Sequence, residues 1–118
     1  MGSRSAIELL QLPVQLHGIR LGRPVDLLID PVEWRALGFV VLCGDESSRF
    51  LVYAAADVLE DAIEVGSALL LLEDVEFYRR RSRSLRDLLG DEVRDLLVAS
   101  DGSLEPLASV EPERVSTA

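Results

Sequence analysis

One short pattern occurs twice in this 118-residue chain. Near the N-terminus, Leu21-Gly22-Arg23-Pro24-Val25-Asp26-Leu27-Leu28-Ile29-Asp30 sets a Leu-Gly pair ahead of an acid and an apolar run. Near the C-terminus, Leu89-Gly90-Asp91-Glu92-Val93-Arg94-Asp95-Leu96-Leu97-Val98 does so again, with one extra residue between Gly90 and Asp95. A Leu-Gly turn feeding an Asp and a short apolar run predicts a small β unit used twice. Around the first copy the β signals are dense. Residues 14–16 alternate, and His17-Gly18 followed by Gly22 supplies turn residues tolerant of positive φ. Residues 25–29 form a strand ended by Asp30-Pro31, because proline cannot donate to a continuing ladder. Residues 39–43 are apolar on both faces, which suits a strand of a closed or covered sheet, and 44–48 form a polar turn into a returning strand at 50–53. Residues 62–65 and 68–72 complete the set, while residues 6–12 leave helix and strand open.

Around the second copy there is only a hairpin: a strand at 93–98, the tight-turn pair Asp101-Gly102, and residues 104–107 interrupted by Pro106. Between the copies, Glu73-Asp74 opens a helical connector in which Val75, Tyr78, Leu85 and Leu89 share a face. Ser82-Arg83-Ser84 breaks it. Ser84 then caps a second short piece, with Asp87 three residues on completing a capping-box-like pair and Gly90 as C-cap. The expected fold is mainly β. Residues 1–72 are a small β-barrel, chosen because so small a two-sided sheet must protect its edges, 73–89 the connector, and 90–109 a truncated second repeat. Residues 110–118 are expected to be a disordered tail. A lone hairpin is marginal in water, so the second repeat must dock on the barrel or on another chain.

The residues Gly18, Leu21-Gly22, Asp26-Leu27-Leu28-Ile29-Asp30, Gly38-Phe39-Val40-Val41 and Arg49-Phe50-Leu51 resemble the PRC-barrel family over about residues 12–72. That family takes its name from the photosynthetic reaction centre H subunit and also forms the C-terminal part of a ribosome maturation factor. Pro24 departs from its pattern, standing where an apolar β-branched residue is usual. The chain also lacks the transmembrane helix of the first relative and the N-terminal domain of the second. The resemblance implies a PRC-type barrel that serves as a binding or assembly module without catalysis.

Chemistry is sparse in the sequence. Cys43 is the only cysteine and lies in an apolar run, where it reads as a small buried hydrophobe, and His17, the only histidine, reads as a turn residue. Asp26 and Asp30, four apart on a regular strand, would sit about 13 Å apart, too far to share a metal ion. No Gly-x-Ser-x-Gly elbow and no phosphate-cradling glycine loop is present. No catalytic, cofactor or metal residues are therefore assigned, and no apolar run reaches the ~20 residues of a bilayer span. With Glu8 preceding any signal-peptide core, a cytoplasmic protein is expected.

Charge carries the functional content. The net charge is −9, yet residues 79–86 hold 5 Arg and no acid, against 5 Arg and 13 acids in residues 1–78. Arg79, Arg80, Arg81, Arg83 and Arg86, with Tyr78 beside them, are the candidate partner-binding residues, through Arg–carboxylate pairing with an acidic protein or a second copy of the chain. The alternative is a ribosome- or RNA-associated factor using the same island, against which the acidic remainder argues. Trp34, the only tryptophan, is the other candidate contact, or else a plug closing one end of the barrel.

Overall fold

The computed structural model describes residues 3–89 and 92–108, and the chain is mainly β. Its elements are β1 (Arg4–Ser5), α1 (Ala6–Leu9), β2 (Val14–Leu16), β3 (Ile19–Asp30), β4 (Arg35–Cys43), β5 (Ser48–Val52), β6 (Asp57–Val58), β7 (Ile63–Glu64), β8 (Leu71–Leu72), α2 (Val75–Arg79), β9 (Arg83–Ser84), α3 (Leu85–Leu88), β10 (Val93–Val98) and β11 (Leu104–Ala108). One sheet runs β6-β7-β2-β3-β4-β5-β8, with β9 added alongside β3; the other is β1-β10-β11. Among the described strands only β2 and β7 pair in parallel. An isolated bridge joins the sheets at Arg35 and Ser103: the Ala36 N–H donates to the Gly102 carbonyl at 2.8 Å and the Leu104 N–H to the Trp34 carbonyl at 3.2 Å. The tail expected from residue 110 lies outside the described residues, as does Gly90.

The two-sided apolar runs follow from a sheet covered on both faces. Leu27, Ile29, Phe39, Val41 and Leu51 enter the main core, which also holds Leu9 of α1, Leu88 of α3 and Leu96 of β10. The alternate residues Leu28, Val40 and Phe50 pack on the opposite face against Val75 and Tyr78 of α2. There the Tyr78 ring stacks on Phe50 at 4.0 Å between centroids. Because α2 lies across that face, consecutive residues can all be buried, as period-2 geometry allows only when both sides are dry. Val93, Leu96 and Val98 of the C-terminal hairpin belong to the main core. The hairpin therefore docks within its own chain.

Several local expectations change. The strand expected at 25–29 begins at Ile19 and runs through Pro24. Proline is tolerated because β2 leaves β3 after Gly22 and β9 joins only at Leu28, so no strand on that side asks Pro24 for an N–H. Gly22 is not a turn residue. It lies in β3 where a Cβ would collide with the Leu42 carbonyl oxygen and meet Cys43 Cα at 3.0 Å. The turn belongs to His17 and Gly18, with φ of 52° and 79°, the positive values a two-residue hairpin requires. Residues 6–12 resolve into α1, and the break expected at Ser82-Arg83-Ser84 contains the short strand β9. Residues 68–72 are half strand: Ala68–Leu70 is a 3₁₀ turn and only Leu71–Leu72 pairs.

Candidate functional site

The gap beside β3, between the end of β2 and the start of β9, holds the most elaborate polar cluster. A β-bulge between Pro24 and Asp26 turns the Asp26 side chain into it. There Asp26 is 5% exposed, a buried carboxylate among apolar neighbours. Its Oδ1 accepts the Leu27 N–H at 2.9 Å and the Arg86 N–H at 3.3 Å, and its Oδ2 accepts the Ser84 hydroxyl. Ser84 in turn accepts the Arg86 N–H at 3.1 Å, and the Arg86 Nε donates to the Val25 carbonyl. The carboxylate that meets the Ser84 cap is thus Asp26, brought from β3, where the capping-box expectation had looked to Asp87. It satisfies amides that the first turn of a helix leaves without partners.

The second repeat reproduces this cluster. A bulge between Val93 and Asp95 precedes the equivalent acid. Asp95 Oδ1 accepts the Leu96 N–H at 2.7 Å and the Ile7 N–H at 3.1 Å, and its Oδ2 accepts the Ser5 hydroxyl. β1 pairs β10 as β9 pairs β3: Ser5 lies opposite Leu97 and Ser84 opposite Leu28. The exchange is reciprocal. The Ser-led helix of the first repeat clasps the Asp of the second, and the Ser-led helix of the second clasps the Asp of the first.

Sequence reasoning found the two Asp residues but missed their partners. The signal was present: Arg4-Ser5-Ala6-Ile7-Glu8-Leu9-Leu10 and Arg83-Ser84-Leu85-Arg86-Asp87-Leu88-Leu89 share Arg-Ser, an acid three residues after the Ser, and Leu-Leu. Ala6, Leu9, Leu85 and Leu88, the matching apolar positions, are all buried.

The Arg island is spread over α2, β9 and α3, and several of its members are already engaged. Arg79 pairs with Glu76 at 3.3 Å and Arg83 with Glu92 at 2.8 Å. Arg81 lies 3.9 Å over the centre of the Phe77 ring and donates to the Phe77 carbonyl at 2.9 Å. The exposed Arg80 guanidinium has no ion-pair partner among the described residues. Tyr78 is half-buried between Phe50 and Phe77, which meets it edge-on at 5.0 Å. Trp34 packs on the main core, whereas Tyr78 packs on the opposite face of the sheet. Trp34 occupies the β3–β4 turn with φ of 59°, half-buried against the main core, its N–H bonded to the Asp30 carbonyl at 2.8 Å. Asp30 caps the same turn through the Val32 and Glu33 N–H groups, a role quite apart from that of Asp26.

No family model matches the chain, and no curated protein matches it. The site is therefore read from its own chemistry. Among the described residues no three metal-ligating side chains come together, and no helix is long and apolar enough to cross a membrane. Cys43 is half-buried, and burial raises its thiol above the ordinary value, with Asp45 adding to the rise and Arg49 opposing it. At neutral pH it is a thiol packed against the core, not a thiolate nucleophile. A cleft of about 700 Å³ opens where the repeats meet, between α1, the start of β4, the end of β5 and the end of β10. Tyr53 stands in its wall and donates to the Ala99 carbonyl at 3.3 Å. Burial, with the Asp101 carboxylate nearby, raises the Tyr53 phenol above its ordinary value.

Proposed function

We propose that this chain is a PRC-barrel-like, non-catalytic assembly module that grips an acidic protein segment through the ridge formed by α2. The observation that carries this reading is the cation–aromatic pair at its crest. Phe77 is 40% exposed with the Arg81 guanidinium over its face, and Arg80 beside it has no ion-pair partner among the described residues. A planar guanidinium held by a ring keeps donors for a carboxylate while losing little freedom on binding. The stack of Tyr78 on Phe50 anchors the ridge to the sheet, so the contact surface is rigid. Ser5, Ser84, Asp26 and Asp95 are committed to the two clasps.

A second copy of the chain is one acidic partner that fits. Asp57, Glu60, Asp61 and Glu64 crowd β6, β7 and their connecting turn without an intervening base. Light scattering of the wild type at low and high salt tests this: a salt-sensitive dimer supports it, and a monomer at high concentration leaves only a foreign partner. For that partner, anisotropy of a labelled Glu/Asp-rich dodecapeptide is compared between wild type and the Arg80→Glu/Arg81→Glu variant. Saturable binding lost in the variant supports the ridge. Equal binding by both proteins overturns it, and preference for a single-stranded RNA probe would replace it with the nucleic-acid reading.

A further inference from the structure

We infer that the cleft between the two repeats is a binding site for an aliphatic carboxylate. Its volume of about 700 Å³ lies in the range of small-molecule sites. Leu9, Leu37, Val52, Val58 and Val98 give it apolar walls, the surface an alkyl chain needs. Two guanidiniums, Arg4 and Arg35, line the same space.

The partners of these arginines are what point to an anion. Arg4 donates to the Leu59 and Glu60 carbonyls at 2.6 and 3.1 Å. Arg35 donates to the Ser103 hydroxyl at 3.4 Å and to the Asp101 carbonyl. Neither forms an ion pair among the described residues. Three carbonyls and a hydroxyl, all neutral, hold the two forks in place and use two of the five N–H donors on each. Two carboxylates also reach the cleft, and Asp101, held below the ordinary carboxylate value by its Ser103 hydrogen bonds with Arg35 contributing, offsets part of the Arg35 charge. Asp57 is exposed at its rim, and Asp101 has its Oδ1 turned to the Ser103 N–H at 2.9 Å. The arrangement combines a greasy wall with two fixed guanidiniums that no ion pair among the described residues ties up, and an acid on an apolar tail satisfies both.

Titration calorimetry of the full chain with octanoate, 1-octanol and octylammonium tests the assignment, since the three share a tail and differ in head charge. Octanoate should bind one to one and at least about tenfold more tightly than the other two, the difference expected of a charge-assisted hydrogen-bonded pair. In Arg4→Gln and Arg35→Gln, each checked for folding by circular dichroism, that preference should shrink while octanol binding persists. A short peptide acid ending in Leu-Val, set against its amide, shows whether the carboxylate is accepted from a chain end as well. Octanol binding as tightly as octanoate overturns the charge argument, and no saturable binding of octanoate overturns the site.

Discussion

The Asp26 and Asp95 clasps use the same bulge, the same acid, the same serine and the same three classes of donor, yet they stand in different surroundings. Asp26 lies within β3 of the larger sheet, at 5% exposure. Asp95 is only half-buried, in the smaller, three-stranded sheet. Identical hydrogen bonds therefore ought to differ in worth. A buried donor deprived of its acceptor loses its full hydration, whereas a half-exposed one is rescued by water.

The sharpest way to break the comparison is Asp26→Ala, which deprives the buried Leu27 N–H and the part-buried Arg86 N–H and Ser84 hydroxyl of their acceptor. Urea unfolding should show a loss of about 3 kcal/mol. Asp95→Ala removes an equal number of bonds and should cost about 1–2 kcal/mol, so a loss as large as that for Asp26 would refute burial as the deciding factor. Ser84→Ala and Ser5→Ala each remove a cap worth about 1 kcal/mol. The Asp26/Ser84 double-mutant cycle should show a larger coupling than Asp95/Ser5. The last effect is confined to alkaline solution. The Tyr53 phenol is raised in the folded state, so its contribution is complete below the ordinary tyrosine value near pH 10 and is lost as pH rises through the folded value. Tyr53→Phe should therefore flatten the alkaline limb of stability, measured by fluorescence-monitored unfolding between pH 9 and 12.

Much of the first repeat was legible because its strands are short apolar runs and the turns between them carry Gly, Pro and Asp where a turn needs them. The doubled Leu-Gly…Asp-Leu-Leu pattern located both carboxylates. Their partners were hidden for two reasons. α1 and α3 are four residues each, shorter than the span over which helical periodicity can be read. Which serine meets which acid depends on contacts 90 and 58 residues apart, and neither local spacing nor propensity reports these. Gly22 was misread because a close backbone approach and a positive φ both select glycine, and sequence shows only the selection. The arginines were recognisable as surface cations. Arg79 with Glu76 follows from i,i+3 spacing, whereas Arg83 with Glu92 needed the fold.

The crossed clasps also order events during synthesis. When Asp26 leaves the ribosome, the serine that will hold it has not been made, and Ser5, already outside, awaits an acid that follows it by 90 residues. At 5–20 residues per second, both wait for seconds. The Asp26 clasp can close only once Ser84 and Arg86 have emerged, and the Ser5 clasp only after Asp95, so apolar surface of the first half stays open to whatever else is nearby until β10 is out.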